Sequence, residues 1–270
     1  MILTVDHVTT YSYDTAMGAS VQSLRLFPSR FSGQREIDWH VAVEGGIRGG
    51  EFRDGAGDKV ESWSVRPPVE EVVVAVRGQI ETTDTAGVLR GHRELVHPMA
   101  YLRETTATWG DEGLERLAAE AVGGCTEPLD CAHRLSAAVA EAIAYEPGTT
   151  DAHTTAAEAL DQGKGVCQDH AHALIAAARA QDLPARYVSG YLFATEDGAP
   201  HEAAHAWTEI WIEGIGWIGF DAANSCCPDD RYIRLGSGLD AHEAAPIRGI
   251  TQGGSEERLN VTVALEQVQQ

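Results

Sequence analysis

The spacing of apolar residues changes twice along this chain, and those two changes constrain its fold more than any other feature. Over the first hundred residues the spacing is that of strands. Ile2 to Tyr13 alternates in places and is rich in Val, Thr and Tyr, Asp38 to Glu44 alternates, and Val72 to Val76 is β-branched. Turn residues punctuate them at Gly45-Gly46, Gly49-Gly50, Asp54-Gly55 and Pro67-Pro68. From Gly113 the period becomes helical. LERLAAEAV is followed by Leu129 to Tyr145, with Leu135, Val139 and Ile143 at i, i+4 and i+8. Pro147-Gly148 stops that helix, and Thr154 or Thr155 can cap a short one through Leu160. Gly163 and Gly165 then precede CQDHAHALIAAARAQ, in which Cys167, Ala171, Leu174 and Ala178 share a face, and Pro184 ends it. Period two returns over Arg186 to Phe193, His205 to Ile212, Trp217 to Phe220 and Leu259 to Leu265. Strands, then helices, then strands predict an α+β chain. An antiparallel β domain is expected over residues 1–100, and helices packed on an antiparallel sheet over 101–270.

Charge narrows the partners. With 20 Lys+Arg against 41 Asp+Glu, the net charge is −21 over 270 residues. Such a chain binds nucleic acid poorly and is repelled by anionic lipid. Neither nucleic acid nor membrane is expected as a partner. At 43% hydrophobic and 23% charged residues the composition is that of a globular protein. No run approaches the roughly 20 apolar residues of a membrane span, and MILTVDHVTTYSYD lacks the pattern of a secretory leader. Cys125, Cys131, Cys167, Cys226 and Cys227 make an odd count with no framework spacing. Free thiols in a reducing, cytoplasmic setting are therefore expected, and Cys125 and Cys131 are read as two free thiols that would pair only if distances permit. Cys226-Cys227 is too cramped for an ordinary disulfide or a standard zinc pair.

Cys167 is the first candidate for chemistry. It falls at the start of an apolar helix, where the helix dipole and unpaired N–H groups favour a thiolate. Burial as a small hydrophobe would also explain it. A nucleophilic thiol needs a base and a group to orient that base. His205 opens one strand and Asp221 closes the next, with Trp207 and Trp211 on the same strand face as His205. Taken singly, His205 reads as a satisfied core histidine and Asp221 as a loop cap. Their combination with Cys167 makes a triad. Strand parity raises a difficulty. A tight hairpin on Gly214-Ile215 would put His205 and Asp221 on opposite faces, so the triad requires a longer or bulged connection.

GVCQDHAHALIAAARAQDLPARYVSGYLF followed by HAWTEIWIEGIGWIGFDAAN resembles the core of the bacterial transglutaminase-like superfamily. HVTTYSYDTAMGASVQSLRLFPS resembles the β-rich N-terminal region that accompanies that core, and the tail PIRGI with LNVTVAL fits as well. The resemblance implies a papain-like α+β core without metal or organic cofactor, with Cys167 as nucleophile, His205 as base and Asp221 as orienter. It implies a cysteine peptidase or amidase that acts on a peptide or glutamine-type amide through a thioester. Amine transfer by a glutamyltransferase is the alternative second step. The backbone N–H of Cys167 is the expected oxyanion donor, and Gln168, Asp169, Tyr191 and Trp207 are candidate substrate contacts that core packing explains nearly as well. Two departures touch those contacts. Asp221-Ala222-Ala223 stands where the family often has Asp-Pro-Thr, and Gly238-Leu239-Asp240-Ala241 where Gly-Arg-Asp-Tyr is frequent.

Two rival readings remain. One is a catalytically silent interaction module, which the presence of all three triad residues opposes. The other is a zinc peptidase, because His201-Glu202-Ala203-Ala204-His205 matches H-E-x-x-H, with His170 and His172 as further ligands. That motif needs a helix, and the strand pattern directly after His205 does not supply one. The sequence carries no sign of oligomeric state.

Overall fold

The computed structural model describes residues 1–193, 204–253 and 256–268. Six strands come first: β1 (Ile2–Met17), β2 (Ser20–Leu24), β3 (Gln34–Val43), β4 (Ile47–Arg53), β5 (Lys59–Val65) and β6 (Val69–Thr82). Helices α1 (Glu112–Ala121), α2 (Pro128–Ala142), α3 (Ala156–Gln162) and α4 (Cys167–Arg179) follow, with the two-residue strands β7 (Ala144–Tyr145) and β8 (Lys164–Gly165) between them. Six more strands complete the described chain: β9 (Ala185–Leu192), β10 (Ala204–Ile212), β11 (Gly216–Phe220), β12 (Tyr232–Gly238), β13 (Ile247–Thr251) and β14 (Glu257–Gln267). This is the α+β architecture expected from the spacing.

Three antiparallel sheets of four strands form, ordered β14-β1-β6-β3, β13-β2-β5-β4 and β11-β10-β9-β12. The first two belong to the N-terminal region, yet each is completed by a strand from the far end of the chain. β14 pairs with β1 from Leu3↔Gln267 to Tyr13↔Glu257, and β13 pairs with β2. Strand alternation shows in β1, where Leu3, Val5, His7 and Thr9 are buried and Asp6 is exposed. Leu3 and Val5 join Trp39, Val72, Val74, Val76 and Ile80 in a core that also takes Tyr191, Ile233 and Leu235 from the third sheet.

The helical region is built around α4. Every residue from Asp169 to Arg179 is buried, which fits a helix apolar nearly all round. The alanines at 171, 173, 176, 177 and 178 let α1, α2, α3 and the third sheet approach it closely. Leu135, Val139 and Ile143 pack into the same core, so the expected i, i+4, i+8 stripe is a buried one. Asp111 and Thr155 cap α1 and α3; the latter forms a capping box with Glu158. Gly163 ends α3 in the left-handed conformation at φ 64°.

One expectation fails. Cys125 and Cys131 form a disulfide. The α1–α2 turn, with Gly124 at φ 72°, folds the chain back so that the two Cα atoms stand 5.7 Å apart, within disulfide reach. That pairing removes the argument from free thiols to a reducing compartment.

Candidate active site

Cys167 is the first residue of α4. The backbone leading to it is set by the side chain of Asp169, which accepts the Val166 N–H at 2.7 Å and the Thr150 hydroxyl at 2.6 Å. A Cβ on Gly165 would lie 2.6 Å from that of Asp169, so glycine there permits the turn. Asp169 is 1% exposed and thus fixes the helix start from within. Tyr145, paired across β7 with Gly165, flanks the same turn.

α4 is docked on the third sheet by the Thr208 hydroxyl, which donates to the Ala171 carbonyl at 3.1 Å. One helical turn back from Ala171 is Cys167, and three residues back from Thr208 is His205. Cys167 and His205 thus stand at the starts of α4 and β10. The thiol lies close enough to the imidazole to add to the rise in its proton affinity.

The parity difficulty is resolved by the hairpin. Its connection is three residues, Glu213 to Ile215, with Ile212↔Gly216 as the closing pair and Gly214 at φ 82°. A three-residue loop shifts the register by one relative to a tight two-residue turn. Carried on past Thr208↔Phe220, this register sets Asp221 opposite Trp207, on the face that Trp207 shares with His205. His205 Nε2 and Asp221 Oδ2 are 2.6 Å apart. Nδ1 remains as the ring nitrogen for the thiol.

Asp221 is 1% exposed. Burial pushes its carboxyl up, but hydrogen bonds from His205, Asn224 and Tyr232 outweigh that and hold it below the usual range. For His205 burial acts downward, and the bonds to Asp221 and Cys167 overcome it, raising the imidazole to about 9. Trp207 stacks on His205 at 6.4 Å between centroids and an interplanar angle of 26°, shielding one ring face. At neutral pH the site therefore holds an imidazolium between a carboxylate and a thiol.

The four candidate contacts divide. Trp207 walls the imidazole, and Gln168 is half-buried next to Cys167. Asp169 and Tyr191 do not line the site. Asp169 is the helix-start anchor described above. Tyr191 is fully buried against Trp39, with its hydroxyl 2.7 Å from His7 Nδ1, because the end of β9 lies under the N-terminal region. Asn224 and Tyr232 are the residues that sequence reasoning missed. Asn224, three positions after Asp221, carried a local turn signal; Tyr232 became legible only through the sheet order.

The H-E-x-x-H reading does not fit the backbone. His205 lies in β10 rather than on a helix, and its Nε2 is engaged by Asp221. His201 and Glu202 fall outside the described residues. His170 and His172 are buried within α4: His170 spans the Val166 and Ile143 carbonyls, and His172 accepts the Ala241 N–H. No helix among the described residues is long and apolar enough to cross a membrane.

Comparison with known proteins bears on the family and the fold. Residues 115–222 match the transglutaminase-like superfamily, and residues 3–81 match the bacterial transglutaminase-like N-terminal region. The chain belongs to the transglutaminase-like superfamily. An uncharacterized protein of Mycobacterium leprae is 29% identical over 281 residues, covering 97% of both chains. Another from Mycobacterium tuberculosis is 39% identical over 123 residues, 42% of this chain and 38% of that one. Among solved structures, a Cytophaga hutchinsonii protein with a provisional cysteine-protease assignment superposes with a TM-score of 0.75 at 22% identity, covering 100% of this chain and 92% of the other. That likeness concerns the fold.

Proposed function

We propose that this chain is a cysteine hydrolase, a peptidase or amidase acting on a peptide or glutamine-type amide. The observation that carries the proposal is the convergence of Cys167, His205 and Asp221, with the imidazole hydrogen-bonded to a buried carboxylate and the thiol near enough to act on its proton affinity. An imidazolium beside a thiol favours the thiolate, which is the nucleophile. The Cys167 sulfur adds to the amide carbon, and the oxyanion that forms faces the helix-start N–H of Cys167. His205 then gives its proton to the departing nitrogen, the C–N bond breaks, and a thioester remains. Water adds to the thioester as His205 takes its proton. Loss of the thiolate frees a carboxylic acid. Asp221 stabilises the imidazolium and keeps the ring in place throughout.

Hydrolysis and amine transfer share the thioester and differ in what resolves it. Transfer needs a site that excludes water and holds an amine in place. Incubation of a glutamine- or peptide-amide with the protein and a millimolar primary amine, followed by mass spectrometry, tests the proposal. Free acid from the wild type and none from Cys167→Ala is the expected result. A predominant amine adduct would make the chain a transferase, and no product from either protein, across a peptide-amide library, would favour the interaction module.

A further inference from the structure

We propose that Tyr232 is a positioning residue of this site, whose hydroxyl fixes the Asp221 oxygen that faces His205 and limits how tightly that carboxylate holds the imidazolium. The inference rests on the Cys-His-Asp reading and adds a residue to it.

Asp221 Oδ2 has three donors within reach: His205 Nε2 at 2.6 Å, Asn224 Nδ2 at 2.7 Å and the Tyr232 hydroxyl at 2.8 Å. Oδ1 takes the Asn224 backbone N–H at 3.1 Å. A carboxylate oxygen offers about two lone-pair sites, so three donors on one oxygen compete. Asn224 is a local partner that the turn after Asp221 carries with it. Tyr232 is not local. It opens β12, the edge strand opposite β11 in the order β11-β10-β9-β12, and its ring reaches across the sheet to the end of β11. On the way it packs edge-on against Trp207 at 5.5 Å and lies 6.0 Å from the His205 ring. A phenylalanine would fill that space against Trp207 equally well. The hydroxyl is what the packing does not explain.

Burial first, and then the negative charge of Asp221, push the phenol well above its ordinary range, so it stays protonated and keeps donating. Its share of Oδ2 lowers the basicity of Asp221. Without it, Asp221 would hold the imidazolium more firmly, and His205 would release its proton to a leaving amine less readily. The other groups facing this carboxylate are few. His205 comes from β10, with Cys167 of α4 behind it. Cys226 comes from the loop, its sulfur 3.3 Å from the phenol oxygen, with the Arg231–Asp229 pair next to it.

The test needs no substrate. The rate of Cys167 alkylation by iodoacetamide, followed against pH on the whole chain, reads the thiol–imidazole pair directly. Wild type should show two limbs, the upper one set by His205. Tyr232→Phe should move the upper limb upward by about half a pH unit, the share expected when one hydrogen bond to a charged group is removed one step away. Uniform replacement of tyrosine by the more acidic 3-fluorotyrosine strengthens the donor and should move that limb down; it decides the matter alone if Tyr232→Phe does not fold. Cys226→Ala, which touches the phenol but not the carboxylate, should leave both limbs in place. Two limbs in wild type that neither tyrosine change moves would overturn the role of Tyr232 and leave the triad standing. A single limb at the position of an ordinary thiol in wild type would instead sink the triad, and the inference with it.

Discussion

One face of β10 carries two buried polar networks, and they behave differently. His205 lies at one end of that face, Glu209 four residues on, and Trp207 between them. Around Glu209, Oε2 accepts from Arg186 Nε at 2.7 Å and Oε1 from Arg234 Nε at 2.8 Å. Arg234 reaches on to Asp58 at 2.8 Å and Ser29 at 2.6 Å in the N-terminal region, and Arg186 to Glu94 in the connecting segment at 2.5 Å. Arg186 also lies 4.0 Å over the Trp217 ring. Burial pushes Glu209 up, but the two guanidinium groups outweigh it and depress its carboxyl to about 2. Arginine does not give up its proton in proteins, so the cations here are permanent and the cluster acts as a staple between regions. At the other end the cation is an imidazolium, which in the proposed mechanism exchanges its proton with the reacting groups at Cys167. A buried carboxylate with a cationic partner is structural in one place and chemical in the other, according to whether the proton can leave.

The largest effect that can separate the two networks is on activity. Asp221→Asn should lower amide turnover by about 10⁴-fold, the loss seen when a triad carboxylate becomes an amide, while circular dichroism shows the fold retained. An active Asp221→Asn protein would show that another group orients His205. Next comes a stability effect at the other end. Arg234→Ala strands Glu209 and Asp58 without one of their cations, and breaking a buried pair in this way costs about 3–5 kcal/mol. Urea unfolding should show that loss, with the alkylation profile of Cys167 unchanged at a temperature where the variant is folded. If the variant kept full stability, the cluster would not be the staple described here.

How far the sequence anticipated these two networks follows from what each depends on. The chemical one was legible in part because its members sit at boundaries the sequence marks: Cys167 after Gly163 and Gly165, His205 at a strand start, Asp221 at a strand end. The triad required a connection longer than a tight turn on Gly214-Ile215, and the loop is longer by the one residue that decides which face Asp221 occupies. Tyr232 could not be found from spacing, because it reaches Asp221 only after β12 has crossed to the far edge of the sheet. The ionic cluster was invisible for the same reason: Asp58, Glu94, Arg186, Glu209 and Arg234 come from five separate segments. Likewise β14 reads as a strand from Leu259 to Leu265, but nothing local says that it pairs with β1. The Cys125–Cys131 bond depended on a turn geometry that six residues of spacing do not specify.

That disulfide supplies a control lying outside both networks, at the α1–α2 turn. Its reduction should lower stability by about 2 kcal/mol, the chain-entropy value for so short a loop. It should leave Cys167 alkylation untouched. Mass analysis after labelling with and without reductant counts the thiols: Cys167, Cys226 and Cys227 before reduction, all five after. Burial raises the Cys226 and Cys227 thiols, so Cys167 should label first near neutral pH. A markedly slower reaction at Cys167 after reduction would couple the helical turn to the site and blur the contrast.

The smallest effect per step is on stability against pH, since one titrating group changes it by at most about 1.4 kcal/mol per pH unit. The sign differs between the networks. His205 is raised in the folded state to about 9, from 6.5. Its contribution is fully present below pH 6.5 and is lost as pH rises through 9. Glu209 is depressed to about 2 from 4.5. Its contribution is fully present above pH 4.5 and is lost as pH falls toward 2, where Asp221, also depressed, adds to the slope. Unfolding free energies measured from pH 3 to 10 should therefore decline on both flanks, the alkaline one reporting His205 and the acid one Glu209 together with Asp221. His205→Gln should flatten the alkaline flank and spare much of the acid one, while Glu209→Gln should lower stability overall and reduce the acid slope. An alkaline flank that persists in His205→Gln would mean that the group titrating there is not the imidazole between Asp221 and Cys167, and the division between a static and a proton-carrying network would have to be redrawn.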